Sequence, residues 1–326
     1  MGFRLDSTAL ILQTEVAMAV RKVILAQPRG FCAGVEMAVA TVERALQKYG
    51  PPLYVFHEIV HNRYVVQDFI RRGVAFVQSL EEVPVGAKLI LSAHGVSPAV
   101  WEQGKKRELE IIIDATCPLV EKVHREVRKF GAQGYWIILV GHPKHDEIVG
   151  TSGEAPERIR IVANIGQAKE VTIPDPERVA VLTQTTLSVD DTREIIEVLQ
   201  RRFPRMITPP KEDICYATQN RQDAVKELAR EVDLVLVVGS SNSENSNQLC
   251  RVARSGGVPA YLVNDLREID PQWLEIVERV GITSGASVPD RLVQQIADYF
   301  KQLGAEIANI GFVEENVHFS LPSEIA

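Results

Sequence analysis

Val23-Ile24-Leu25-Ala26-Gln27-Pro28-Arg29-Gly30-Phe31-Cys32-Ala33-Gly34-Val35 holds the plan of the whole chain in one short stretch. Val23 to Ala26 is a continuous apolar run, as expected of a strand buried on both faces. A loop punctuated by Pro28 and Gly30 follows. Then Val35, Ala38, Val39, Val42, Ala45, Leu46 and Tyr49 recur at helical spacing until Gly50-Pro51-Pro52 stops the helix. Cys32 therefore stands between a buried strand and a helix start.

The same order recurs twice. Ile111 to Asp114 is a strand, Cys117 follows it, and Pro118 fits a first helical position, where its missing N–H costs nothing. Leu119, Val120, Val123, Val127 and Phe130 form the apolar stripe of that helix, which leaves His124 on an exposed position. Cys215 precedes a helix carrying Ala224, Val225, Leu228 and Val232. Between and after these cysteines lie further apolar runs: Leu53–Phe56, Val74–Val77, Lys88–Leu91, Trp136–Val140, Ile159–Val162, Val179–Leu182, Leu234–Val238, Ala260–Val263 and Val280–Thr283. Most end in polar loops, including 57–62, 92–95, 141–147, 183–188, 239–246 and 284–287. The repeated unit is strand, cysteine, helix, strand, polar loop, two strands, polar loop, helix. It is a repeat of pattern rather than of letters. Alternating apolar strands and helices predict an α/β protein with parallel sheets, whose sites form beyond the carboxyl ends of the strands. Residues 1–21 are expected to be an extension and 301–326 a C-terminal arm.

A chain of 326 residues with 45% hydrophobic and 24% charged residues belongs among globular proteins. A net charge of -7 argues against a dedicated nucleic-acid binder. No apolar run reaches membrane-spanning length. Glu15 interrupts the early apolar stretch and Arg4 alone is a poor basic lead, which points away from a secretory signal and towards the cytoplasm. Four cysteines are too few for a disulfide framework in a chain this long. Cys250, within Asn247-Gln248-Leu249-Cys250-Arg251-Val252-Ala253, reads as core packing.

Cys32, Cys117 and Cys215 at helix N-termini would be favoured as thiolates. Three soft ligands from three units suit a metal centre, and three ligands with one vacancy fit a 4Fe–4S cluster. From spacing alone, a metal centre, packed cysteines and a redox thiol all remain open. His57-Glu58-Ile59-Val60-His61 matches the zinc-protease pattern HExxH, but that pattern requires a helix and this stretch follows a strand. His61, His94 and His145 lie in equivalent loops and read as donors to an anion. Ser243, Asn245 and Ser287 add neutral donors, although such loops are ordinarily turns. With no Gly-rich nucleotide loop, the anion is expected to be a phosphate or diphosphate held by side chains. Glu147 reads as a general acid whose pKa burial would raise, with Thr185 positioned to help.

These residues carry a resemblance. Pro28-Arg29-Gly30-Phe31-Cys32-Ala33-Gly34-Val35, His57-Glu58-Ile59-Val60-His61-Asn62, Ser92-Ala93-His94-Gly95-Val96, Asp114-Ala115-Thr116-Cys117-Pro118 and Thr183-Gln184-Thr185-Thr186-Leu187-Ser188 resemble the 4-hydroxy-3-methylbut-2-enyl diphosphate reductases, the LytB family. Asp213-Ile214-Cys215-Tyr216-Ala217-Thr218, Gly285-Ala286-Ser287 and the tail around Glu315-Asn316-Val317 and Leu321-Pro322 extend it. The resemblance implies three similar α/β lobes with pseudo-threefold symmetry around a central 4Fe–4S cluster, a first lobe over 34–117, a second over 118–213, and a third made of 22–33 plus 214–300, so that the first strand joins the third lobe. It implies Cys32, Cys117 and Cys215 as cluster ligands, with a fourth iron open to the substrate hydroxyl. His61, His94, His145, Ser243, Asn245 and Ser287 would hold the diphosphate, and Glu147 would supply protons, aided by Thr185. The implied reaction is the last step of the methylerythritol phosphate route, which yields isopentenyl and dimethylallyl diphosphate. A ferredoxin or flavodoxin would be the electron donor, since no flavin or nicotinamide motif is visible. The protein is expected to be a monomer or homodimer, with no nucleic-acid or membrane partner.

Two positions depart from the family pattern. Glu36-Met37-Ala38 lacks an arginine often found after the first cysteine, and Glu244 stands where a second serine is common. An acid beside a diphosphate is unfavourable unless its side chain points away. Two other classes compete: a condensing or dehydrating enzyme like quinolinate synthase, which also draws three cysteines from three lobes, and an iron–sulfur sensor of nucleic acid. The histidine trio and Glu147 favour a diphosphate-bearing alcohol over the first. The acidic balance opposes the second.

Overall fold

Short, largely apolar runs form the central strands of the computed structural model, which describes residues 19–311 and 313–325. The extension expected over 1–21 lies almost wholly outside the described residues. In chain order the elements begin with β1 (Lys22–Ala26), α1 (Ala33–Tyr49), β2 (Leu53–Phe56), α2 (Arg63–Arg71), β3 (Val74–Val77), β4 (Lys88–Leu91), α3 (Pro98–Lys106) and β5 (Ile111–Asp114). They continue with α4 (Pro118–Ala132), β6 (Trp136–Val140), α5 (Asp146–Ser152), β7 (Ile159–Val162), α6 (Ile165–Glu170), β8 (Val179–Thr183) and α7 (Val189–Arg202). The last are α8 (Tyr216–Leu228), β9 (Leu234–Val238), α9 (Glu244–Ser255), β10 (Ala260–Val263), β11 (Arg279–Ser284), α10 (Asp290–Gln302) and β12 (Glu306–Ile310).

The strands make three sheets, ordered β3-β2-β4-β5, β7-β6-β8 and β10-β9-β11-β1-β12, and every paired strand runs parallel. The middle sheet has a trace of a fourth strand, a single parallel bridge between Ala180 and Ile207. In all three sheets the segment leading to a cysteine thus lies beside the strand that ends in the second polar loop. β1, β5 and Ile207 occupy these places.

The chain divides into two compact units. One takes the described residues up to Cys32 together with Gln219–Asn316, and contains the five-stranded sheet. Its core joins Ile24 and Ala26 to Val225, Leu228, Val235, Val237, Leu249 and Cys250. The other takes Ala33–Thr218 and the tail from Val317, and contains the other two sheets. Cores form on both faces of β6, with Val140 and Leu199 on one side and Val127 and Leu139 on the other. Among the described residues no helix is long and apolar enough to cross a membrane.

Three features differ from the sequence expectation. The stretch from 301, expected as an arm, contains the end of α10 and the strand β12. That strand pairs only with β1 at a sheet edge, so its mixed exposed and half-buried residues show no continuous apolar run. The polar loops after β2, β6 and β9 are short, because their polar residues open helices. Asn62, His145 and Ser243 are the N-caps of α2, α5 and α9. His124, expected to be exposed, is 2% exposed. It falls one turn from Val120 and Val127 on the buried face of α4, and Glu154 gives its Nδ1 a partner at 2.8 Å.

Candidate active site

Each of the three expected ligands immediately precedes a helix: Cys32 before α1, Cys117 before α4 and Cys215 before α8. Their backbone N–H groups follow one rule. Cys32 donates to the carbonyl of Ala286 at 3.1 Å, Cys117 to Ala93 at 3.0 Å and Cys215 to Thr185 at 3.1 Å. Ala286, Ala93 and Thr185 each lie two residues beyond the end of β11, β4 and β8. The loops that receive these bonds carry Ser287, His94 and Thr185. The repeat seen in the pattern of the sequence is therefore a repeat of hydrogen bonding. None of the four cysteines is in a disulfide. Cys250 is 4% exposed in the core, and burial pushes its thiol up to about 11, which removes it from ligand chemistry at neutral pH.

In the unit beginning at Ala33, the loops after β2, β4 and β6 bring three imidazoles together. His61 and His94 stack with ring centroids 4.0 Å apart, and the His145 ring stands edge-on at 5.1 Å from His61 and 5.8 Å from His94. Asp146 sits among them. It bonds His57 Nδ1 at 2.8 Å and lies 3.8 Å from His61 Nε2 and 4.0 Å from His94 Nδ1. Sequence reasoning gave Asp146 and His57 no firm role, although an acid between His145 and Glu147 is the signal that could have found it. Ligand atoms of His61, His94 and Asp146 all lie within 4.8 Å of one another. The HExxH stretch is not helical: His57 has φ 58, and α2 starts only at Arg63.

The surroundings push two of the histidines in opposite directions. Burial, then the charges of His61, His145 and His57, hold His94 well below the usual imidazole range, so it is neutral at pH 7. The hydrogen bond that His57 donates to Asp146 raises its pKa against the opposing effect of burial. Burial alone would raise Asp146, but the His57 hydrogen bond and the neighbouring imidazoles bring it down, so it stays ionised. His145 Nδ1 accepts from the Glu147 N–H at 3.2 Å. Its neutral form therefore carries the proton on Nε2, as a donor.

Glu147, on the first turn of α5, is 2% exposed. Its Oε1 accepts from the Thr185 N–H at 2.7 Å and its Oε2 from the Thr185 hydroxyl at 2.9 Å. Burial raises its pKa to about 7 even though these bonds and the charge of His124 pull the other way. At neutral pH the group is poised between acid and carboxylate. Because Cys215 bonds the Thr185 carbonyl, the chain ties this acid to a cysteine loop through one residue.

The unit holding Cys32 gathers Ser243, Asn245 and Ser287. Ser243 Oγ caps α9 by accepting from the Ser246 N–H at 3.3 Å. Asn245 Oδ1 accepts from the Ala286 N–H at 2.9 Å. Ala286 thus serves Asn245 with its N–H and Cys32 with its carbonyl. A Cβ on Gly239 or Gly285 would fall 2.2 or 2.1 Å from Ser246 Oγ, so these glycines admit the start of α9 against the strand ends. Glu244 pairs with Arg251 along α9. This gives the unexpected acid its own cation.

These features define a parallel α/β protein whose strand-end loops carry cysteines, histidines and a buried acid. The chain belongs to the LytB protein family, whose model matches residues 23–301. It is 54% identical over 307 residues to the 4-hydroxy-3-methylbut-2-enyl diphosphate reductase of Acidothermus cellulolyticus, covering 94% of this chain and 90% of that protein. It is 52% identical over 302 residues to the reductase of the same name from Ralstonia nicotianae, covering 92% and 93%. Among solved structures, the E-1-hydroxy-2-methyl-but-2-enyl-4-diphosphate reductase of Plasmodium falciparum matches with TM-score 0.91 and 40% identity over 94% of this chain and 97% of that one. A second, described as the terminal enzyme of the non-mevalonate pathway, matches with TM-score 0.61 and 32% identity over 87% of this chain and 100% of that one.

Proposed function

We propose that this chain is a 4-hydroxy-3-methylbut-2-enyl diphosphate reductase that uses one 4Fe–4S cluster with Cys32, Cys117 and Cys215 as its ligands. The observation that carries the reading is the shared hydrogen-bond rule, by which each cysteine is tied to a strand-end loop bearing a proposed substrate or proton residue. The donor set fits the group. Three thiols ahead of helices suit soft iron. A Cβ on Gly34 would fall 2.5 Å from Cys117 Sγ, so a bare backbone approaches that sulfur, and Cys32 stands two residues before Gly34 in the chain. The lobe division expected from the sequence is part of this reading.

When bound, the cluster supplies electrons. The overall change takes two electrons and two protons, breaks the allylic C–O bond, forms one C–H bond, and releases water with isopentenyl or dimethylallyl diphosphate. The chain's own residues bind the anion and move protons. His61, His94 and His145 hold the diphosphate together with Ser243, Asn245 and Ser287. His94 enters as a neutral imidazole and His145 donates from Nε2. Glu147 delivers protons, and Thr185 fixes its carboxyl through two bonds. A ferredoxin or flavodoxin supplies the electrons, in the cytoplasm.

Anaerobically purified protein is expected to hold about four irons per chain and to consume the hydroxylated C5 diphosphate with a low-potential reductant. Iron-free protein with full activity would sink the reading.

A further inference from the structure

We propose that the C-terminal segment is a latch on the Cys32 loop, acting through Arg221 and Glu315. This positioning role rests on the reading of Cys32 as a metal ligand. Arg221, on α8, is a large side chain with no exposed surface at all. Its Nη1 donates to both carboxylate oxygens of Glu315 at 3.1 Å, and its Nη2 donates to the Gly30 carbonyl at 2.9 Å. Asn220 Nδ2 adds a bond to Glu315 Oε1 at 3.1 Å. Gly30 lies two residues before Cys32 and has φ 78, a conformation that glycine adopts without strain. Its N–H donates to Ser284 Oγ at 2.9 Å.

The approach to Cys32 is thus held twice. Ser284, at the end of β11, and Ala286, just beyond it, accept from the N–H groups of Gly30 and Cys32, and a guanidinium donates to the Gly30 carbonyl. A planar guanidinium can grip a carboxylate and a carbonyl at once, which an ammonium does less well. Burying that cation is costly unless a carboxylate meets it, and the carboxylate comes from the tail. In the other unit the same tail ends against the helix that follows Cys32. Lys48 Nζ and Tyr49 Oη, at the end of α1, donate to the Glu324 carbonyl at 2.9 and 3.2 Å, and Ile325 is fully buried. The tail therefore anchors the segments on both sides of one cysteine.

The test uses the full-length chain, stripped of metal under anaerobic conditions and labelled with iodoacetamide, with Cys32, Cys117 and Cys215 followed by peptide mass spectrometry. Glu315→Gln is expected to speed labelling at Cys32 by about tenfold, as local opening becomes easier, and to leave Cys117 and Cys215 unchanged. Glu315→Asp, which keeps the charge, should recover part of the protection. In cluster-loaded protein, Glu315→Gln should release iron to a chelator faster than wild type well below its melting temperature. Equal acceleration at all three cysteines, or none at Cys32, overturns the latch. Iron in the wild-type protein tests the cluster reading separately, since the labelling needs no cluster.

Discussion

Glu147 is held in a state that works against the stability of the protein, and that state is what a proton donor needs. Its folded pKa, about 7, stands above the ordinary value of 4.5. The folded chain therefore binds the proton more tightly than the unfolded one. Stability is unaffected below pH 4.5, falls as pH rises towards 7, and stays reduced above it. The shift corresponds to a penalty of up to about 3 kcal/mol at pH 8. Glu147→Gln keeps an acceptor for the Thr185 N–H and removes the charge. The variant should be more stable than wild type at pH 8, with the difference vanishing near pH 4.5, as read from urea melts at both values. The same variant should lose about 100-fold or more of its turnover while keeping its iron. Unchanged turnover would remove Glu147 from the proton path. A stability gain equal at both pH values would show that its burial does not govern its titration.

At the scale of elements, the site is made by strand ends meeting helix starts, and this junction tolerates little added volume. Gly34, at the first turn of α1, is the sharpest case, because a methyl group there would fall 2.5 Å from Cys117 Sγ. Gly34→Ala must move the sulfur or the helix. We expect iron retention roughly 10- to 100-fold weaker, as for other disturbances around metal ligands, with far-UV circular dichroism unchanged. Iron retention equal to wild type would mean that the sulfur can turn aside freely. Much of this junction was legible in the sequence. Buried parallel strands declare themselves as Val/Ile/Leu runs, and each cysteine directly precedes an apolar helical repeat. What escaped depended on distant partners or on an edge. β12 has one neighbour and hence no double-sided apolar signal. His124 looked like a solvated helix residue because Glu154, its partner, comes from 30 positions away. Arg221 finds Glu315 from 94 positions away. Asn62, His145 and Ser243 were read as loop residues, when each also caps the short helix that follows it.

For the whole molecule, the proposed ligands come from three distant stretches of the chain, at Cys32, Cys117 and Cys215. A group bound only by the folded chain stabilises it by mass action. Loading the cluster anaerobically should raise the calorimetric melting temperature of the metal-stripped chain by roughly 5 °C or more. Cys32→Ser tests the share of one ligand in that gain. It should melt like the stripped wild type before loading and gain little from loading. Cys250→Ser should behave in the opposite way, since Cys250 packs in the core of the Cys32 unit. It should melt lower in both states and keep the full gain on loading. A full gain on loading in Cys32→Ser would rule out Cys32 as a ligand.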